Sequence, residues 1–415
     1  MINWQRISGW QALRAPIAFT MLLTLNATCF AQPKGFNYDE SKVPQYKLPD
    51  PLVFEDGRPV KTADDWSARR SEILRQFEKY VYGKSPDKPA GLSFQTIEES
   101  DEALDGKAIR KQVRVFFDAE KTVSMDVLIY LPREKVLQAG KVPLFVGLNF
   151  YGNHTVHSDP KILLSDSWMR ANSEKGVVDN KATDASRGTS ASRWAIDAIL
   201  DRGYGLATIY YGDIDPDFDD GFKNGVHALY GQPEADQWGS ISAWAWGLSR
   251  AMDYFETDSR INADRVAVMG HSRLGKTSLW AGASDPRFAI TISNNSGCGG
   301  AALSRRAFGE TVARINQSFP HWFCDHFVKY NNNEAACPVD QHELIALIAP
   351  DLSISPAPRR TPGPILAGSF FRGSMRPRSI ACWEPTVSAV KRRCPKWTSR
   401  SCIPSGTTSV PVSTT

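Results

Sequence analysis

The sequence predicts an α/β fold: a mostly parallel sheet with helices packed on both faces. Two observations carry that expectation. Apolar runs dense enough for strands buried on both sides, Val142–Phe150 and Tyr204–Tyr211, are separated by polar and helical stretches. Further along, strand-like Arg265–Met269, helical Arg273–Gly282 and strand-like Ala289–Ser293 continue the alternation that parallel sheets need. With 415 residues and 42% hydrophobic content, the chain can bury a sizeable core.

Taken in order, the elements read as follows. Gln32–Pro59 is Pro-rich and polar, suited to wrapping a domain surface. Trp66–Val81 has apolar residues at helical spacing, and Ala108–Phe117 and Val123–Leu131 alternate as half-buried strands do. Trp194–Arg202 and the Ala- and Trp-rich Trp238–Phe255 are expected helices. Asp213–Gly221 is strongly acidic, but it lacks the Gly and Glu positions of a calcium loop and reads as a solvated loop.

The two ends differ from the middle. Arg6 and Arg14, the apolar run Pro16–Ala27 and small residues before Gln32 make residues 1–31 an expected secretion signal, so the mature protein is expected to be secreted or periplasmic. No other segment is apolar and long enough to span a bilayer. Residues 351–415 hold ten basic side chains against two acidic ones, about +8, leaving about −4 for the rest of a chain whose total is +4. That small total gives no reason to expect nucleic acid as a partner. Of the seven cysteines, Cys298, Cys324 and Cys337 are candidates to include one disulfide; no Cys/His spacing suggests a metal.

Between Met269 and Arg273 the chain runs strand, sharp turn, helix through Gly270-His271-Ser272-Arg273-Leu274-Gly275-Lys276. This is the context of a nucleophile elbow, in which small neighbours let a serine hydroxyl stand above the sheet edge and the helix aims N–H groups at developing negative charge. Leu274 occupies the place of the usual second Gly, which comes one residue later. The expected architecture is therefore an α/β-hydrolase three-layer sandwich, with Ser272 as nucleophile.

The heptapeptide closely resembles the nucleophile motif of the bacterial glucuronoyl esterases, carbohydrate esterase family 15. The resemblance runs from Tyr204 to Pro350 and includes Tyr210–Pro216, Ser242–Trp246, Ser293–Gly297 and Phe319–Phe323. It implies a metal-free, cofactor-free carboxylic ester hydrolase that cleaves the ester between 4-O-methylglucuronic acid on xylan and lignin alcohols. It further implies that Arg273 stabilises the oxyanion and that Lys276 and Glu310 bind sugar hydroxyls. A monomer is expected.

A serine hydroxyl needs a base, which in this fold follows the nucleophile. After Ser272 come only His321, His326 and His342, and His342 lies too early for a catalytic loop. Asn295 stands where fungal relatives carry a Glu acid, and the later loop that would hold acid and Trp in bacterial relatives is missing. From about residue 351 the Pro/Arg/Ser/Thr mixture reads as an aberrant, disordered tail produced by a frameshift. Codons for Arg359–Leu366 and Cys402–Thr415, read two nucleotides later, can encode an acid-and-Trp loop and a histidine loop. The esterase domain is thus expected over 32–350, C-terminally incomplete, with no base or acid identifiable and the chain itself inactive. Two other readings stand beside it: an acetylxylan esterase, or a non-catalytic carbohydrate binder that stacks sugars on Trp238, Trp244, Trp246 and Trp322. For the first three, which fall within one expected helix, core packing is favoured.

Overall fold

The two densest apolar runs become the centre of an eight-stranded sheet. In the computed structural model, which describes residues 36–231 and 234–348 and the backbone of 352–354, the strands are β1 (Ser93–Ala103), β2 (Ala108–Phe116), β3 (Ser124–Pro132), β4 (Val142–Asn149), β5 (Gly205–Tyr210), β6 (Ile261–His271), β7 (Phe288–Asn294) and β8 (Leu352–Ile354). Their spatial order is β8-β7-β6-β4-β5-β3-β2-β1. The five strands from β8 to β5 pair in parallel, and β3, β2 and β1 are added antiparallel. The sheet is therefore mixed, with its parallel half on the side that carries Ser272.

Helices cover the sheet as the apolar spacing requires. The helix α1 (Ala63–Phe77) starts with a reciprocal capping box: Asp65 N–H donates to Thr62 Oγ1 and Thr62 N–H to Asp65 Oδ2, both at 3.0 Å. The helix α2 (Ser240–Phe255) is buried almost all round, as a helix apolar on every face must be. Trp238, Trp244 and Trp246 are core residues; Trp244 Nε1 donates to the Asp215 carbonyl at 2.7 Å and Trp246 Nε1 to the Pro86 carbonyl at 2.9 Å. Buried faces of this kind cannot stack sugars, so the core reading holds.

The helix α3 (Arg273–Ser284) lies so close to β7 that a Cβ at Gly282 would stand 2.0 Å from Thr291 Oγ1. Gly282→Ala is accordingly expected to cost about 1–3 kcal/mol through overpacking. Urea denaturation with an unchanged slope and a lowered midpoint is the expected result; an unchanged midpoint would contradict it.

Three expectations change. Cys298, Cys324 and Cys337 are all buried free thiols, so no pair among them forms; their burial makes them packing residues. The acidic loop is not solvated throughout: Asp215 and Asp217 are buried, because His227 and several other donors compensate them. The aberrant tail was placed from residue 351, yet Leu352–Ile354 continues the sheet, pairing in parallel with Ile290–Ile292. Backbone hydrogen bonding to β7 holds that segment irrespective of its side chains. The expected signal at 1–31 and the remaining tail from 355 lie outside the described residues.

Candidate active site

The strand β6 delivers Ser272 directly to the N-terminus of α3. Ser272 has φ 58° and ψ −125°, a backbone conformation that L-residues rarely adopt, and its N–H donates to the Asn294 carbonyl at 2.9 Å. Gly270 makes the turn possible, since a Cβ there would meet the Leu274 carbonyl oxygen at 1.9 Å. A Cβ at Gly275 would lie 3.0 Å from the Asn294 carbonyl oxygen and 3.2 Å from Ser293 Oγ. The displaced second Gly is thus explained: position 275 is where the helix crosses β7, whereas the Leu274 side chain is buried in the core. The Arg273 N–H opens the helix, among the N–H groups that have no partner within it.

Arg273 sits in an aromatic cage, its guanidinium carbon 5.0 Å from the Trp322 ring centre, 5.6 Å from Phe319 and 5.8 Å from Phe150. Burial pushes its pKa down from the usual arginine value. It pairs with Asp217, which is 2% exposed. Asp217 also accepts from Trp322 Nε1 at 2.8 Å and from Tyr211 Oη at 3.1 Å, and lies 3.0 Å from His321 Nε2. Four donors therefore converge on one carboxylate that the sequence reading left in a solvated loop. Its partners Tyr211, His321 and Trp322 lie in the family-like segments Tyr210–Pro216 and Phe319–Phe323, but Asp217 itself falls one residue beyond the first of them.

Lys276, one turn beyond Ser272, is 4% exposed; its Nζ donates to the Ser296 carbonyl and lies 5.7 Å from the Trp322 ring centre. A solvated surface lysine is thereby ruled out. Burial lowers its pKa, and the charge of Glu310 opposes that shift. Glu310 is half-buried, and burial raises its carboxyl pKa against the pull of Lys276. The site thus brings Ser272, Arg273, Lys276 and Glu310 into one neighbourhood.

It does not bring them a base. All seven histidines of the sequence are described. His342 Nε2 is held by the Pro49 carbonyl at 2.7 Å and His326 Nδ1 by the Lys79 carbonyl at 2.9 Å. His227 lies against Asp215, His321 against Asp217 and His271 against Asn294. His154 and His157 are bonded to the Ser165 and Asp159 N–H groups. Asn295, at the early acid position, is exposed with φ 50°. Among the described residues no group of His, Cys, Asp and Glu could hold a metal ion.

Buried ionisable groups give a pH signature. Burial drives His154 from 6.5 to about 4, so as pH falls through this window the unfolded chain takes up the proton first and stability is lost. Asp213 and Glu343, both raised by burial to about 7, act oppositely: their contribution is present in acid and lost as pH rises through 7. Comparison with His154→Gln isolates the histidine. The stability of the wild type minus that of the variant is expected to fall by on the order of 3 kcal/mol from pH 7 to pH 4. A difference constant with pH would refute it.

A strained serine between a central parallel strand and a helix N-terminus, on this sheet order, is the arrangement of the α/β-hydrolase class. A family model described as glucuronyl esterase, fungi, matches residues 193–354. A carbohydrate esterase from an unknown prokaryotic organism is 56% identical over 341 residues, spanning 80% of this chain and 78% of that protein. The glucuronoyl esterase structure from Solibacter usitatus is 45% identical with a TM-score of 0.71, covering 76% of this chain and 81% of the other. The 4-O-methyl-glucuronoyl methylesterase of Schizophyllum commune is 30% identical over 73% of this chain and 65% of its own length. The chain belongs to carbohydrate esterase family 15, the glucuronoyl esterases, and is by family a serine carboxylic ester hydrolase.

Proposed function

We propose that the site is built for esters of 4-O-methylglucuronic acid on xylan, including those to lignin alcohols, with Ser272 as nucleophile. The observation that carries this reading is the positive-φ Ser272 followed within one turn by a caged guanidinium and a buried ammonium. Ser272 Oγ attacks the ester carbonyl carbon. The oxyanion is met by the Arg273 backbone N–H and guanidinium, and collapse of the intermediate releases the alcohol. Water then cleaves the acyl-serine to free glucuronate. Lys276 and Glu310 supply donor and acceptor for sugar hydroxyls, and relatives named for methylglucuronoyl esters support the substrate class.

Both proton transfers need a base, and no histidine of this chain stands free for the task. The chain as written is therefore a nearly inactive esterase, secreted and monomeric, whose base and acid loops were lost to a change of reading frame. Prolonged incubation with methyl 4-O-methylglucuronate and, separately, acetylated xylan tests the substrate class. Slow release of glucuronate that exceeds acetate release is expected. Preferential deacetylation would assign the site to acetylxylan instead.

A further inference from the structure

The segment nearest the described N-terminus builds something beside the site. Phe36 and Asn37 pair antiparallel with Glu310 and Gly309, Phe36 directly opposite Glu310. Directly opposed residues project to the same face of a two-stranded ribbon, and so do residues two apart along each strand. Phe36 and Glu310 thus share one face, and ring contacts bring Tyr38 and Phe308 beside them. Phe36 and Tyr38 lie nearly parallel, 11° apart with centroids at 6.0 Å, and Tyr38 meets Phe308 edge-on at 6.2 Å. Arginines back the outer rings, Arg314 at 5.6 Å from Phe36 and Arg306 at 5.0 Å from Phe308. Tyr38 is 55% exposed, while Phe36, Phe308 and Glu310 are half-buried.

We infer that this aromatic ribbon face is a second carbohydrate subsite, which takes the neutral pyranose units of the xylan chain next to the uronate. Glu310 is the hinge of the argument, because its charge couples to Lys276 on one side while its side chain shares the ribbon face on the other. A neutral sugar presents an apolar C–H face to aromatic rings and hydroxyls to a carboxylate, and the ribbon offers both. Tyr38 lies at the surface and Phe36 and Phe308 reach it in part, unlike the buried tryptophans of α2. The inference rests on the uronate reading of Lys276 and Glu310.

The test measures binding, so it does not depend on turnover. The full chain carrying Ser272→Ala is titrated calorimetrically with methyl 4-O-methylglucuronate and with the same ester borne on xylotriose. The xylotriose ligand is expected to bind about 3- to 10-fold more tightly, the range of one to two aromatic contacts. Tyr38→Ala, at an exposed position with thermal unfolding as control, is expected to abolish most of that advantage and leave monosaccharide affinity unchanged. Phe36→Ala provides the second variant. Equal affinity for both ligands, or an advantage that survives both variants, overturns the ribbon subsite and leaves the uronate site standing. No monosaccharide binding, or monosaccharide binding that Lys276→Ala leaves unchanged, overturns the uronate reading and the subsite with it.

Discussion

Assayed on methyl 4-O-methylglucuronate, the 415-residue chain is expected to turn over about 10³- to 10⁶-fold more slowly than the Solibacter usitatus esterase, and Ser272→Ala to slow it little further. The second clause is the more diagnostic. Members of a nucleophile–base unit act together, so removing one costs about as much as removing all. Each histidine in the sequence is tied to a partner elsewhere, and none follows His342. On the proposed reading, the strained elbow with Arg273 beside it can stabilise an oxyanion but cannot take the serine proton. Turnover near that of the relative, abolished by Ser272→Ala, would show that another group serves as base. Restoring the reading frame after the codon for Ile354 is the complementary experiment, with recovery of several orders of magnitude expected.

Asp217→Ala is expected to destabilise the fold by about 3–5 kcal/mol, the largest effect of any single substitution considered. The carboxylate is nearly inaccessible and its partners come from three separate stretches, around Tyr211, Arg273 and His321–Trp322. Truncation leaves a caged guanidinium without its counter-charge and three further groups, Trp322 Nε1, Tyr211 Oη and His321 Nε2, without their acceptor. Asp217→Asn keeps an acceptor and the volume, so a smaller loss is expected. Urea midpoints for the three proteins, at constant slope, check the order. A midpoint for Asp217→Ala within error of the wild type would show that Arg273 and its neighbours find other partners.

The contrast between these two predictions shows what a sequence can reveal here. The elbow was legible because its constraints are local: Gly270, Ser272 and Gly275 fall within six residues, between a strand and a helix that each announce themselves by periodicity. Strand centres were legible for the same reason, Val142–Asn149 and Gly205–Tyr210 being dense, mostly apolar runs. The Asp217 cluster was not, since it joins residues 56 and 105 positions apart and rests on acids whose usual place is the surface. Lys276 illustrates the same limit. Only the packing of Trp322 and the Ser296 carbonyl around it shows that its charge is buried. The ribbon of Phe36 with Glu310 likewise spans most of the chain, and no local pattern marks it.

The short strand β8 has a practical meaning for anyone who wishes to repair this molecule. Because it pairs in parallel with β7, its C-terminal end at Ile354 lies on the same rim of the sheet as Asn294, and Asn294 pairs with His271 beside Ser272. The polypeptide is thus already travelling toward the nucleophile when it reaches Ile354. A splice made immediately after that residue starts on the correct edge and heading, so a grafted histidine loop has only to be long enough.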